Sequence, residues 1–97
     1  MLQKIKSEQI GREVFSERMR AHLKHGDKST ESQSWTSPVF LTVLVEEIGE
    51  VAKAINEYRV FTNQPHRLAH ELRAELIQVA AMCEAWIVAI DDVFLEL

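Results

Sequence analysis

The sequence predicts an all-α fold: an antiparallel bundle of three long helices followed by a short C-terminal segment. Three long stretches repeat apolar residues at intervals of three and four, as one face of a helix requires. Two polar breaks with turn-forming and helix-starting residues separate these stretches. The sequence lacks the alternation of apolar and polar residues that is typical of a strand.

The first predicted helix runs from about Leu2 to Leu23, and Gly26 follows it as a terminator. Gly11 inside the pattern lowers helix stability by about 1 kcal/mol relative to alanine. The apolar residues that recur at near-helical spacing are Ile5, Ile10, Val14, Met19 and Leu23.

The second predicted helix follows a polar loop from His25 to Thr36 that is rich in turn and cap formers. Ser37 provides an N-cap and Pro38 the first helical position, which together are a strong helix start. The helix runs to about Phe61. Its apolar stripe consists of Leu41, Leu44, Val45, Ile48, Val51, Ala52, Ile55 and Tyr58.

The third predicted helix starts after Asn63-Gln64-Pro65, which breaks the second. Asp91-Asp92 is expected to end or bend it before the apolar tail from Val93 to Leu97. Because the turn between the second and third helices is short, we expect these two helices to pack antiparallel. The stripe of the third helix consists of Leu68, Leu72, Leu76, Val79, Cys83, Trp86 and Ile90.

Length and composition predict one domain, residues 1–97, that associates with itself. A chain of 97 residues has a thin core, yet 46% of its residues are apolar. We therefore expect a second copy to cover part of the apolar surface. The apolar tail is part of the surface that we expect to be buried between subunits.

Net charge and cysteine content exclude several classes of function. The formal charge of −4 argues against binding a nucleic acid polymer, which needs a basic surface. A nucleotide substrate remains compatible when a divalent metal lies between the negative charges. The single cysteine excludes an intramolecular disulfide and a zinc cluster. Without a secretory signal or a transmembrane run, we expect a cytoplasmic protein that does not enter a membrane.

Carboxylates on the second helix point to a metal site. Glu47 and Glu50 are three residues apart, so they are neighbours on one face, beside the apolar stripe. Like charges at the edge of a core repel, and a divalent cation would relieve this repulsion. Hard oxygen ligands at this spacing suit Mg²⁺ or Mn²⁺.

The third helix carries a second set of oxygen donors. Glu71 and Glu75 are four apart, and Gln78 follows three residues later. In antiparallel packing these three side chains can face Glu47 and Glu50 across the two helices. On spacing alone, a solvated acidic edge is an equally good interpretation. Its cationic partners would be Lys53, Arg67 and Arg73.

Two strings in this order resemble the MazG family of all-α nucleoside triphosphate pyrophosphohydrolases: LVEEIGEVAKAINE on the second helix and ELRAELIQVAAM on the third. That family is marked by EExxE on one helix and ExxD on the next. Glu46, Glu47 and Glu50 match the first motif, and Glu75 matches the glutamate of the second. With the preceding HGD and a tryptophan, the resemblance covers roughly residues His22 to Trp86.

One position departs from the family pattern, because Gln78 stands where ExxD has its aspartate. A glutamine oxygen can still bind Mg²⁺, but it brings no charge, so metal affinity should fall unless another group substitutes. Glu71, one turn before Glu75, is the obvious substitute. The sequence leaves open which of the two completes the site.

The resemblance implies hydrolysis of a nucleoside triphosphate to its monophosphate and pyrophosphate, by a homodimer or homotetramer. Mg²⁺ held by Glu47, Glu50 and Glu75 would neutralise charge that develops on the leaving pyrophosphate. Glu46 or Glu71 would orient or deprotonate the attacking water.

Four further residues are candidates for substrate binding. We expect three cations near the site to hold the outer phosphates: Lys53, on the same side of its helix as Glu46 and Glu50, and Arg67 and Arg73 on the partner helix. Trp35 either stacks on the nucleobase or plugs the end of the bundle. Two other functions stay open: a catalytically weak MazG-like nucleotide-binding or regulatory protein, favoured by Gln78, and a purely structural helical module.

Overall fold

The computed structural model describes residues 2–26, 29, 33–60 and 63–94. All regular secondary structure in these ranges is helical: α1 (Leu2–His25), α2 (Pro38–Val60) and α3 (Pro65–Phe94). The predicted fold class, all-α with three long helices, is confirmed. None of the described helices is long and apolar enough to cross a membrane.

The predicted helix starts and the first helix end agree with the structure. Gly26 follows α1 with a φ of 59°, a left-handed conformation that glycine adopts without strain. The Ser37 hydroxyl accepts a hydrogen bond from the Val39 backbone N–H at 3.2 Å, as an N-cap does. Pro38 and Pro65 are the first residues of α2 and α3.

The ends of α2 and α3 differ in part from the prediction. The expected end of α2 at Phe61 lies outside the described residues, and the helix is described as far as Val60. α3 continues through Asp91-Asp92 to Phe94. In this last turn the Phe94 ring makes an edge-on contact with the Trp35 ring, with 5.3 Å between centroids. The remainder of the predicted tail, residues 95–97, lies outside the described residues.

α2 and α3 pack along a line that we call the seam, and they run in opposite directions. Near the start of α2, Phe40 stacks on Trp86 with 5.4 Å between ring centroids. Two turns further along α2, Glu47 lies beside Gln78 on α3. Because α3 residue numbers fall as α2 numbers rise, the expected antiparallel pairing of these two helices is present.

α1 packs on α3 at another face and runs parallel to it. Arg73 donates to both carboxylate oxygens of Glu13 at 2.8 and 2.7 Å. Further along both helices, Arg18 donates to Glu84 at 2.8 Å. α3 is thus the element against which the other two helices pack.

The buried core is thin, as chain length predicts. Phe40 and Leu68 are the fully buried large side chains of the described residues. Phe40 forms a cluster with Met82 and Ala85, against which Trp86 packs. Large apolar side chains remain exposed along α2 and α3, among them Leu41, Val45, Ile48, Leu76 and Ile87.

Candidate functional site

Glu47 occupies a core-facing position of α2. Phe40 and Ala54, seven residues before and after it, are 0% and 7% exposed. Seven residues span nearly two helical turns, so all three side chains lie on one face of α2. The helical periodicity that buries Phe40 therefore also directs a carboxylate into the seam.

Gln78 joins Glu47 to Glu75 across the seam. With its side-chain nitrogen facing them, the Gln78 amide donates to Glu47 Oε2 at 2.6 Å and to Glu75 Oε2 at 3.3 Å. We call these three residues the seam site. The structure thus brings together one glutamate of each motif and the glutamine that replaces the family's aspartate.

Burial and negative charge raise the pKa of Glu47. The largest cause is desolvation, and the charges of Glu75 and Glu50 come next. Glu17 and Glu46 add to the effect. The seam site therefore holds concentrated negative charge in which the ionised form of Glu47 is disfavoured.

Glu50, Glu71 and Lys53 lie further along the seam. With Ala54, Glu57 and Glu75 they line an open cleft of about 140 Å³. Arg67 donates to Glu71 at 2.7 Å, an exposed pair one turn apart on α3. Lys53 therefore shares this cleft with four carboxylates, and Arg67 is hydrogen-bonded to one of them, Glu71.

Arg73 faces α1. Its guanidinium holds both oxygens of Glu13, and this hydrogen bonding lowers the pKa of Glu13. Arg73 is thus joined to α1 in the structure, and its predicted role in phosphate binding requires that it leave Glu13.

Trp35 lies at the other end of the seam, beyond the Phe40–Trp86 stack. Its backbone oxygen accepts a hydrogen bond from Trp86 Nε1 at 2.9 Å, and its ring meets Phe94. The structure places Trp35 apart from the seam site. Stacking of Trp35 on a nucleobase stays a prediction.

Glu17 and Arg20 on α1 are site residues that the sequence interpretation missed. Arg20 donates from Nε and Nη2 to the two Glu17 oxygens at 2.9 and 2.6 Å. Both residues line a cavity of about 140 Å³ that Glu47 and Gln78 also line. The available signal was a Glu–Arg pair three residues apart, which is common on exposed helices and so carries little information.

Ser29, which follows α1, lies against the same cavity. Ser29 is buried, its hydroxyl lies 2.7 Å from His22 Nδ1, and its N–H donates to the Gly26 oxygen at 3.1 Å. Ser29 and His25 both line the cavity. The apolar residues that line the cavity are Ala21, Val43, Ala81 and Met82.

The donor set fits a hard divalent cation by its chemistry. Glu47, Glu50 and Glu75 offer carboxylate oxygens, and rotation of the Gln78 amide would bring its oxygen into the seam. A cation would also relieve the charge crowding that raises the pKa of Glu47. Within the described residues, no three His, Cys, Asp or Glu side chains are already arranged around a metal position.

Comparison of the chain with protein-family models, with curated proteins and with solved structures found no match. The resemblance to MazG-type enzymes is carried by the two motifs, and membership of that family stays a prediction. The structure adds one fact to it: residues of the two motifs contact each other across the seam.

Proposed function

We propose that the chain is a Mg²⁺-dependent pyrophosphohydrolase that converts NTPs or dNTPs to the monophosphate and pyrophosphate, as a house-cleaning activity. The main support is the meeting of Glu47, Glu75 and Gln78 across the seam. These residues belong to two motifs that, in the MazG family, belong to a magnesium-dependent hydrolase. We place the activity in the cytoplasm.

In this proposal, Glu47, Glu50 and Glu75 hold the metal ion, with Gln78 or Glu71 completing the set. Gln78 would turn its amide by about half a rotation, which exchanges a donor nitrogen for an acceptor oxygen. Bound Mg²⁺ or Mn²⁺ would neutralise charge that develops on the leaving pyrophosphate.

Glu46 and Glu71 are the candidates for orienting or deprotonating the attacking water. Glu46 is exposed beside Glu47. Glu71 lines the cleft with Glu50 and is hydrogen-bonded to Arg67.

Lys53 is the candidate cation that shares a cleft with the proposed ligands Glu50, Glu71 and Glu75. There it can reach a phosphate whose metal ion is held by the same carboxylates. Arg67 and Arg73 would each have to exchange a glutamate for a phosphate.

We further propose a homodimer or homotetramer, based on the exposed apolar stripe of α2. Leu41, Val45 and Ile48 are 57%, 59% and 52% exposed in one chain, although they follow a regular helical spacing. Light scattering should give at least a dimer. Val45→Glu should lower the mass, whereas Thr42→Glu, also exposed on α2, should leave it unchanged. A monomeric wild-type protein would contradict this part of the proposal.

The test of the activity is pyrophosphate release from a panel of NTPs and dNTPs, with Mg²⁺ and with EDTA. We expect release only with Mg²⁺, loss of release in Glu75→Gln, and normal release in Glu8→Gln, which changes an exposed carboxylate of α1. Absence of release from every nucleotide would refute the enzyme proposal.

One observation favours the weaker alternative, a nucleotide-binding or regulatory protein. The Gln78 amide hydrogen-bonds both Glu47 and Glu75, and so it holds the two carboxylates together without a charge of its own. Binding of Mg²⁺-nucleotide without turnover would select this alternative. Absence of both binding and turnover would leave a structural helical module.

A further inference from the structure

The Glu17–Arg20 ion pair of α1 lies beside the seam site. Its geometry is a two-point fork, with 2.9 Å from Arg20 Nε to one Glu17 oxygen and 2.6 Å from Nη2 to the other. The Glu17 side chain is 19% exposed and that of Arg20 is 56% exposed. The carboxylate is therefore directed inward, and the guanidinium lies at the mouth of the cavity.

Both partners interact electrostatically with the seam site. Glu17 is one of the negative charges that raise the pKa of Glu47, and Glu47 in turn attracts Arg20. The cavity that Glu17 and Arg20 line also exposes Glu47 and Gln78. A ligand with both a cation and an anionic group would therefore meet both members of the pair.

The Glu17–Arg20 ion pair has features that would let a phosphate replace Glu17 as the partner of Arg20. An ion pair with a half-exposed arginine adds little to stability, because water screens it. An arginine fork binds phosphate oxygens in the same two-point geometry as a carboxylate. The other arginine that lines this cavity, Arg18, forms an ion pair with Glu84 in which its side chain is only 11% exposed.

We propose that substrate binding exchanges this ion pair. Arg20 releases Glu17 and takes the outer phosphates of the nucleoside triphosphate, and Glu17 turns towards the seam site, where it supplies the negative charge that Gln78 lacks. The exchange rests on the proposed function, because it requires a metal-bound polyphosphate at the seam. Arg20 is in this view a substrate-binding residue, and Glu17 replaces Glu71 as the compensating carboxylate.

Two calorimetric titrations test the exchange without turnover: Mg²⁺ alone, and inorganic tripolyphosphate at saturating Mg²⁺. Arg20→Gln should weaken tripolyphosphate binding by about tenfold or more and leave Mg²⁺ affinity equal or higher, because Glu17 is set free. Arg20→Lys should retain part of the binding, since it keeps the charge but loses the fork. Glu17→Gln should weaken Mg²⁺ binding by about threefold or more.

Arg59→Gln on α2 and Glu8→Gln on α1 are the matched controls, with the same charge changes at exposed positions. Both should bind Mg²⁺ and tripolyphosphate as the wild type does. The exchange is refuted if Arg20→Gln binds tripolyphosphate as Arg59→Gln does. It is also refuted if Arg20→Gln weakens both ligands equally, as a merely structural ion pair would.

The same series separates this inference from the proposed function. A wild-type protein that binds neither ligand would remove both proposals. A wild-type protein that binds both and releases pyrophosphate, with Arg20→Gln unchanged in binding and in release, would remove the exchange alone. Circular dichroism of each variant verifies that the helices are retained.

Discussion

Two stretches of the α2–α3 seam, which we call its aromatic end and its carboxylate end, are built on the same helical periodicity but from opposite chemistry. At one end Phe40 is 0% exposed and stacks on Trp86, with ring planes 10° apart. Seven residues further along α2, the equivalent position is Glu47, whose partner on α3 is Gln78. One end excludes water with aromatic rings, and the other holds repelling carboxylates beside a cavity.

This difference indicates that stability and chemistry are separated along one helix pair. Burial of Phe40 stabilises the fold, because it removes apolar surface from water and packs the ring closely against its neighbours. Glu47 does the reverse, because desolvation and neighbouring negative charge disfavour its ionised form. Groups whose pKa is shifted by burial and neighbouring charge are concentrated at functional sites, and this supports the function proposed for Glu47.

The largest expected effect is on the aromatic end. Phe40→Ala should lower the free energy of unfolding by about 3–5 kcal/mol, because it leaves a cavity under Trp86. Thermal or urea unfolding measures this loss. Thr42→Ala is the control, since Thr42 is exposed on the same helix and lies outside the apolar stripe. An effect of Phe40→Ala no larger than that of Thr42→Ala would contradict the assignment of the core.

The second effect is on catalysis at the carboxylate end. Glu50→Gln and Glu75→Gln should each reduce pyrophosphate release by about 100-fold or more, because each removes a charged metal ligand. The melting temperature should stay equal or rise, since repulsion is relieved. Lower activity that follows lower stability would show that these residues are structural.

The third effect concerns the group that completes the metal site. If Gln78 is a ligand, Gln78→Asp should tighten Mg²⁺ binding by about tenfold, because it adds a charge to a hard-oxygen site. If Glu71 is the ligand, Gln78→Asp gains little and Glu71→Gln is severe. If Glu17 compensates, Glu17→Gln weakens Mg²⁺ binding and Glu71→Gln does not. Titration calorimetry of the three variants distinguishes these patterns.

The smallest effect is a pH dependence of stability without metal. The raised pKa of Glu47 means that, just above 4.5, the folded state holds more protons than the unfolded state. Protonated Glu47 therefore favours the folded state at low pH, and this contribution to stability is lost as the pH rises from 4.5 through the raised pKa. Glu47→Gln should melt at a higher temperature than the wild type at pH 7 and at the same temperature near pH 4, because the neutral amide lacks the disfavoured charge. A difference that persists at pH 4 would contradict the charge argument.

The helices were predictable from local signals, because Gly26, Ser37 and the two prolines act through their own backbone and caps. The end of α3 was less predictable: Asp91-Asp92 is typical of a helix end, yet α3 continues to Phe94, whose ring contacts Trp35, far away in sequence. The periodicity of apolar residues does not predict a contact between residues so far apart in sequence.

The site was predictable in so far as it lies on the two patterned helices. Glu47, Glu75 and Gln78 meet as antiparallel packing requires. The contribution of Glu17 and Arg20 depends on where α1 docks on α3, and no spacing within α1 encodes that position. The partner of Arg73 was missed for the same reason, because Glu13 also lies on α1.

The most direct test of the central claim is a Mg²⁺ titration followed by ¹H–¹⁵N NMR, with inorganic tripolyphosphate present. The Gln78 side-chain amide reports on the carboxylate end, and the Trp86 indole N–H, bonded to the Trp35 oxygen, reports on the aromatic end. We predict a saturable shift of the Gln78 amide while the Trp86 signal stays in place. A Gln78 signal that ignores Mg²⁺, or shifts of equal size at both ends, would contradict a metal site at the seam.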